Sequence, residues 1–226
     1  MNEASPGLAI PKPLFLFALM YGGMTVLAGV LGAKQVALGP LAVEAGIFAF
    51  LMLVVLSSTI AQLYGRAMAD RLVLFGFIPL ALSILLIALV LGLPPSADMP
   101  PENVAAFERV LSQTPRIMAA GPVAYGVSLF LNVRIFSALR GSGDAPGSGG
   151  GWWMMARGAI AAAISQVVDT LIFITLAFYG QFPIGSLLMG QALAKVVLSI
   201  VLVPPLIALL VWLARWIERR DAAAHA

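Results

Sequence analysis

The sequence predicts an all-α integral membrane protein with six transmembrane helices and both termini in the cytoplasm. Of its 226 residues, 61% are hydrophobic and 10% are charged, whereas a soluble domain carries about 25% charged residues. Six apolar stretches have the roughly 20 residues that a helix needs to cross a bilayer core of about 30 Å. They lack the alternating pattern of a membrane β-barrel, and a backbone in lipid must satisfy its own hydrogen bonds, so we expect helices.

The predicted spans follow one another in a single transmembrane domain that covers residues 1–226. They are bounded by charges, glycines or prolines and cover residues 14–33, 42–62, 72–93, 117–139, 156–179 and 184–213. The first stretch is long enough to span and has no convincing cleavage site after it, so we interpret it as a helix and not as a signal peptide. In the sixth stretch, Pro204 and Pro205 predict a kink.

The distribution of basic residues predicts the orientation. If six helices alternate, eight basic residues fall on the side of the termini: Lys12, Arg66, Arg71, Arg140, Arg157, Arg215, Arg219 and Arg220. The other side carries Lys34, Arg109 and Arg116, which are diluted by four acidic residues. Cytoplasmic loops carry the excess of basic residues, so both termini are expected in the cytoplasm. The net charge of +3 therefore reflects topology, and the expected partner is a lipid bilayer and not nucleic acid.

Two loops differ from simple connections. Residues 94–115 form a predicted external loop, in which Val104, Phe107 and Leu111 recur at helical spacing and indicate a short amphipathic helix, with a plain connector as the alternative. Residues 141–151 (GSGDAPGSGGG) predict a flexible cytoplasmic linker, because they lack the Gly-Lys-Ser/Thr ending of a phosphate-binding loop. With no ATP site visible in the sequence, any work that the chain does is expected to draw on a gradient, an external partner or simple equilibration.

Metal, cofactor and enzyme chemistry are not predicted. The chain has no cysteine, and its sole histidine, His225, lies in a polar tail. Ser165 or Ser199 with Lys195 could suggest a serine-lysine pair. However, Ser199 and Lys195 are simply one helical turn apart, and no His, Cys or metal cluster supports hydrolysis. We therefore expect a non-enzyme without a cofactor.

A carboxylate lies in the middle of the fifth predicted span. In the stretch SQVVDTLIF, Ser165, Gln166 and Asp169 fall on one helical face. Asp169 is about 20 Å from the cytoplasmic start of this span near residue 156, at 1.5 Å per residue. An ionised carboxylate facing lipid would cost several kcal/mol, so we expect Asp169 to face the bundle interior or a water-filled cavity.

The sixth predicted span offers a partner for that carboxylate. Gln191, Lys195 and Ser199 are spaced by four and form one polar stripe. Lys195 is about 16 Å from the external start of the span near residue 184, which is within about one turn of the depth of Asp169. We expect the two side chains to pair, directly or through a ligand. A permanent ion pair that only holds two helices in register is the alternative.

Further polar residues complete the predicted binding site. The carboxamides of Gln62 and Asn132 need several hydrogen-bonding partners each, and Arg116 lies at the external entrance of the fourth span. The candidate substrate-binding residues are Asp169, Gln166, Lys195, Gln191, Arg116, Asn132 and Gln62. A carboxylate can accept two parallel N–H bonds from a guanine-like edge, and carboxamides can bind the remaining donors and acceptors. A planar, nucleobase-like small molecule fits this set.

Several motifs resemble those of the queuosine precursor transporter family, also called the vitamin uptake transporter family. The main one is SQxxDTxxF at 165–173, followed by AFxG at 177–180 and by Lys195 on the next helix. Other matching positions are Lys34, Gly46, Tyr64-Gly65-Arg66, Arg116, Ala124-Tyr125, Phe136 and Leu139-Arg140. The resemblance covers about residues 14–210.

The resemblance implies a six-helix protein of the bacterial inner membrane that imports 7-deazaguanine bases. These are the cyano and aminomethyl precursors of queuosine, a modified tRNA nucleoside. Asp169 and Gln166 would then hold the guanine-like edge, Lys195 and Arg116 would fix Asp169 or carbonyl oxygens, and aromatic side chains would stack on the ring.

The chain also departs from the family pattern. Gly29 replaces an Asn, Ser58 and Gln62 replace acidic residues, and Leu129 and Asn132 replace a Gln and an Asp. These differences indicate a divergent member. Two alternatives stay open: a substrate-binding component for another heterocycle or vitamin that needs a separate ATPase, and a purely structural or assembly protein. A homo-oligomer is compatible with each of these functions.

Overall fold

The computed structural model describes residues 10–138 and 152–224, which form eight helices and two short strands. In chain order these elements are α1 Lys12–Leu31, β1 Gln35–Leu38, β2 Leu41–Glu44, α2 Gly46–Tyr64, α3 Arg66–Leu91, α4 Pro101–Leu111, α5 Thr114–Ala138, α6 Trp152–Phe178, α7 Gly185–Val201 and α8 Val203–Ala224. The predicted linker at 141–151 lies outside the described residues.

The chain is a mostly helical, multi-pass membrane protein. Within the described residues, α1, α2 and α3 are each long and apolar enough to cross a membrane, and α7 with α8 makes a fourth span if the bent pair counts as one. One face of α3 carries large apolar side chains, such as Leu74, Ile78 and Leu85, that are exposed in the part of the chain that the structure describes. Such a face is suited to lipid. Six spans and the orientation of the termini stay predictions.

Polar contacts join the ends of several helices. At one end, Lys12 of α1 pairs with Asp221 of α8 at 2.7 Å, and the Tyr64 hydroxyl of α2 donates to Glu218 of α8 at 3.0 Å. The start of α1 therefore lies beside the end of α2 and the end of α8. This arrangement is the one that alternating spans require.

A β-hairpin between α1 and α2 is absent from the all-α prediction. Its two strands pair antiparallel from Gln35 opposite Glu44 to Leu38 opposite Leu41. The two-residue turn begins at Gly39 with a φ of 59°, a conformation that glycine adopts without a steric penalty. Because residues 42–44 belong to β2, α2 begins at Gly46 and not at residue 42.

The hairpin packs closely on α7. A Cβ at Gly190 would collide with the backbone carbonyl of Ala42, so only glycine allows this approach. Val43 of β2 is fully buried and joins Ile47 of α2 and Ala194 of α7 in one apolar cluster. The hairpin is therefore part of the protein interior and not a loose surface connection.

The last predicted span is broken. The two helices α7 and α8 meet at Leu202 and are bent by 45°. Pro204 and Pro205 follow immediately, and since proline has no N–H, the last carbonyls of α7 lose their helical donors. The kink that the sequence predicts thus lies at the junction between two separate helices.

The short helix α4 lies within the loop for which the sequence predicts an amphipathic helix. None of its side chains is buried in the protein, and Phe107 and Val110 are among its exposed apolar residues. Amphipathic helices with an unburied apolar stripe are suited to the surface of a bilayer.

Candidate functional site

The centre of the site is a buried ion pair between α6 and α7. Lys195 Nζ lies 2.6 Å from Asp169 Oδ2, and the two side chains are only 4% and 7% exposed. Two charges withdrawn from water are stable together only when they approach closely and use their remaining hydrogen-bonding capacity. The structure brings these two residues into direct contact, as their predicted depths lead us to expect.

Ser128 of α5 and two aromatic rings surround this pair. The Ser128 hydroxyl lies 3.3 Å from Asp169 Oδ1 and 3.0 Å from the carbonyl oxygen of Tyr125. One hydroxyl has a single proton to donate, so Asp169 Oδ1 keeps free acceptor capacity. Lys195 Nζ lies 4.4 Å from the ring centroid of Phe50 and 5.8 Å from that of Phe173. Both distances allow a cation–π interaction.

A second buried carboxylate, Glu44, lies at the end of β2 and is 3% exposed. Gln191 of α7 binds it twice: its Nε2 donates to Glu44 Oε1 at 2.8 Å, and its Oε1 accepts from Glu44 N at 3.0 Å. The N–H of Gly46, at the start of α2, donates to Glu44 Oε2 at 2.7 Å. The hairpin, α2 and α7 are therefore joined at one acidic side chain.

Burial raises the pKa of Glu44 from its ordinary 4.5 to about 7. Lys195 and the hydrogen bonds from Gly46 and Gln191 oppose this rise, but the loss of water around the carboxylate outweighs them. Glu44 lies outside the helical spans and titrates near neutral pH. From the sequence, Glu44 counts only as one of the four acidic residues on the external side, near the start of the predicted span 42–62. One sequence signal could have indicated its role: Glu44 lies two residues before Gly46, the glycine that begins an apolar helix.

Both carboxylates and Lys195 line one cavity of about 130 Å³ between α1, α2, α3, α5, α6 and α7. A buried water needs about 10 to 15 Å³, so the cavity has room for a small molecule of roughly ten water-sized groups. Its aromatic lining consists of Tyr21, Phe50, Phe77, Tyr125 and Phe173. A planar ligand can stack on such side chains while the charged groups bind its edges.

Gly29 and Met118 form an apolar part of the wall of this cavity. A Cβ at Gly29 of α1 would collide with the side chain of Met118 on α5. Met118 is buried and occupies the space beside Gly29. The thioether of Met118 therefore fills the space that a side chain at position 29 would need, and this part of the wall is apolar.

The other predicted site residues lie elsewhere. Arg116 donates to the carbonyl oxygens of Leu176 at 2.7 Å and Tyr179 at 2.9 Å, so it caps the end of α6. Gln62 is exposed and lines a second cavity beside α8.

The three remaining candidate residues are Gln191, Gln166 and Asn132. Gln191 contacts it through Glu44. Gln166 does not line it, and the buried Gln166 Oε1 has no hydrogen-bonding partner within the described part of the chain. The side chain of Asn132 lies outside the described residues.

Comparison with known proteins gives two matches. The family described as "Putative vitamin uptake transporter" matches residues 44–209. The chain is also 28% identical over 163 residues to the "Probable queuosine precursor transporter" of Bacillus subtilis (strain 168), an alignment that covers 72% of this chain and 68% of that protein. No solved structure is significantly similar to the chain.

Proposed function

Because the chain belongs to the vitamin uptake transporter family, we propose that it imports 7-deazaguanine precursors of queuosine across the bacterial inner membrane. The substrates would be the cyano and aminomethyl deazaguanines. The observation that carries this proposal is the buried pair of Asp169 and Lys195 in an aromatic-lined cavity. The similarity to a Bacillus subtilis protein named as a queuosine precursor transporter supports the substrate class.

The geometry of Asp169 suits a guanine-like edge. Lys195 holds Oδ2, while the hydroxyl of Ser128 makes a long contact of 3.3 Å with Oδ1. A ligand N–H can therefore bind Oδ1 without breaking the ion pair. The ring N–H and exocyclic amino group of a guanine-like base offer two parallel donors, which a carboxylate can accept together. Lys195 has further protons to donate to a carbonyl oxygen of the base.

The aromatic side chains suit the two faces of a planar base. Phe50 and Phe173 flank the ammonium group, and Phe77 and Tyr125 form an edge contact with ring centroids 6.4 Å apart. Stacking on such rings contributes about 1 to 3 kcal/mol per base. The aromatic rings thus supply affinity for any flat heterocycle, whereas the ion pair supplies specificity.

Transport itself would follow from alternating access to this cavity. In the proposed orientation, α1, α2, α3, α5, α6 and the bent pair of α7 and α8 are the six spans. The break at Leu202 lies seven residues after Lys195, so a change in the bend would move Lys195 relative to α6. Broken helices beside a midplane site are typical of secondary transporters. We therefore propose a secondary transporter or facilitator and not an enzyme.

Ligand binding tests the proposed substrates. Purified protein is heated with guanine, adenine, the two deazaguanines and unrelated vitamins, and the melting temperature is recorded. A ligand present at 100 times its dissociation constant stabilises the folded state by about 2.7 kcal/mol. We expect stabilisation by the deazaguanines, its loss in Asp169→Asn, and its retention in Asp98→Asn, which neutralises an exposed loop carboxylate. Stabilisation by one of the vitamins and by none of the bases would show that the substrate belongs to another chemical class.

Uptake by the chain expressed alone tests the class of transporter. A host that lacks other members of the family and cannot make these bases is supplied with a labelled deazaguanine. Accumulation without any added component supports a secondary transporter or facilitator. Uptake that requires a coexpressed ATPase would instead identify a substrate-binding component.

A further inference from the structure

The cavity contains two carboxylates but a single ammonium group among its described lining residues. Asp169 is paired with Lys195 at 2.6 Å. Glu44 lines the same cavity and is 3% exposed. Its hydrogen bonds come from the uncharged amide groups of Gln191 and Gly46, so they do not neutralise the negative charge of Glu44. With both carboxylates ionised, the three groups carry a net charge of −1.

Within the described residues, no other charged or titratable group around Glu44 neutralises this net charge of −1. Lys195 on α7 is the cation that acts electrostatically on Glu44, and it is bound directly to Asp169 of α6. Lys34, just before β1, is exposed. Arg116 of α5 donates to α6 carbonyl oxygens. The titratable groups that α1 and α5 contribute to the cavity are phenols, Tyr21 and Tyr125.

We infer that the preferred substrate is a planar heterocycle that carries a primary ammonium group, and that Glu44 binds this group. This inference rests on the proposed function, since it places the guanine-like edge at Asp169. A monocationic ligand makes the set of charges neutral, whereas a neutral ligand leaves one ionised carboxylate without a counter-ion or requires a proton on Glu44. Within the proposed substrates, the aminomethyl base is such a cation and the cyano base is neutral.

The hydrogen bonds of Glu44 are compatible with this role. Oε1 and Oε2 each accept one bond, from Gln191 Nε2 and from Gly46 N. A carboxylate oxygen has two lone pairs, so each oxygen can accept a second bond from a ligand ammonium. The two bonds already present hold the carboxylate rigidly, which reduces the entropy lost when a ligand binds.

The experiment compares three ligands that share one ring: aminomethyl deazaguanine, its hydroxymethyl analogue and the cyano base. Dissociation constants are measured at pH 6 and pH 8 for the wild type, Glu44→Gln and the control Glu102→Gln, which changes an exposed carboxylate of α4. A primary amine has a pKa of about 10 and stays protonated at both pH values. We expect the wild type at pH 8 to bind the aminomethyl base about tenfold tighter than the hydroxymethyl analogue.

The pH dependence has a defined sign. Because burial raises the pKa of Glu44 to about 7, the ionised fraction of its carboxylate should increase between pH 6 and pH 8. The preference for the ammonium ligand should therefore increase with pH in the wild type and in Glu102→Gln. Glu44→Gln should bind both ligands about equally at each pH. If that variant does not fold, the change in the wild type's preference for the ammonium ligand between pH 6 and pH 8 tests the role of Glu44.

Two results separate this inference from the proposed function. Equal binding of the aminomethyl and hydroxymethyl ligands by the wild type at pH 8, with the cyano base also bound, would overturn the role of Glu44 and leave the substrate class intact. Failure to bind any of the three by folded protein would overturn both.

Discussion

The two buried carboxylates of this protein lie in the same cavity but have different environments. Asp169 lies in the middle of α6 and contacts an ammonium group at 2.6 Å. Glu44 lies at the end of a strand and is held by two uncharged N–H donors. An ammonium neutralises a carboxylate, whereas amide donors only solvate it. One carboxylate is therefore paired with a cation in the ligand-free protein, and the other can exchange its proton or receive a cation.

This difference shows how one small cavity can combine recognition with sensitivity to charge. A paired carboxylate keeps a constant arrangement of acceptors, which suits the hydrogen-bonding edge of a base. An unpaired carboxylate responds to pH and to the charge of the ligand. Substitutions that act on one carboxylate and not on the other separate these two roles.

Removal of the ammonium should have the largest effect. Lys195→Met leaves Asp169 buried without a counter-ion, and loss of one partner of a buried pair costs about 3 to 5 kcal/mol. We expect a large fall in melting temperature and no uptake. The double variant Lys195→Met/Asp169→Leu removes both charges, so it should recover most of the stability but not the uptake. A double variant as unstable as the single one would contradict the ion-pair interpretation.

The pH dependence of stability should identify Glu44 next. Its pKa is about 7 in the folded protein and ordinarily 4.5, so the folded state binds the proton more tightly. The free energy of unfolding therefore falls as the pH rises from about 4.5 to about 7, by roughly 3 kcal/mol at 1.36 kcal/mol per pKa unit. Thermal unfolding at a series of pH values should show this loss in the wild type and not in Glu44→Gln. Parallel profiles for the two proteins would show that Glu44 does not titrate in this range.

The two carboxylates also differ in how well the sequence predicts them. Asp169 and Lys195 interrupt long apolar stretches, and helical geometry places them at similar depths, so their pairing followed from spacing alone. Glu44 gave no such signal, because it lies at the boundary between a loop and a helix, where an acidic residue is ordinary. Its burial depends on the packing of the hairpin against Gly190 of α7, a contact between residues that are distant in sequence.

Other site predictions depended on side-chain direction, which spacing does not determine. Arg116 is close in sequence to the cavity residues Ile117 and Met118, but its guanidinium group binds carbonyl oxygens at the end of α6. The hairpin was missed because a four-residue strand is too short to give a periodic signal between two long apolar helices.

The next largest effect is expected from a change in the packing of the hairpin on α7, because this packing positions Glu44. Gly190→Ala places a methyl group against the Ala42 carbonyl, and overpacking of this kind typically costs about 1 to 3 kcal/mol. We expect a lower melting temperature and weaker binding of the aminomethyl base, with a smaller effect on the cyano base. Gly23→Ala is the matched control, since a Cβ there has no neighbour within 4 Å. Equal effects of the two substitutions would show that the hairpin is not closely packed on α7.

The smallest effect is expected at Gln62, although the sequence made it a candidate for the same site as Gln191. Gln191 is fully buried and binds Glu44 through both ends of its carboxamide, whereas Gln62 is exposed at the end of α2. Gln191→Ala should weaken binding of the aminomethyl base, because Glu44 loses a donor and its backbone N–H loses an acceptor. Gln62→Ala should change stability by less than about 0.5 kcal/mol and leave the affinity for all three deazaguanines unchanged. If Gln62→Ala instead lowers affinity as much as Gln191→Ala, the ligand site extends along α2 to the cavity beside α8, and the assignment of the site to the two buried carboxylates is incomplete.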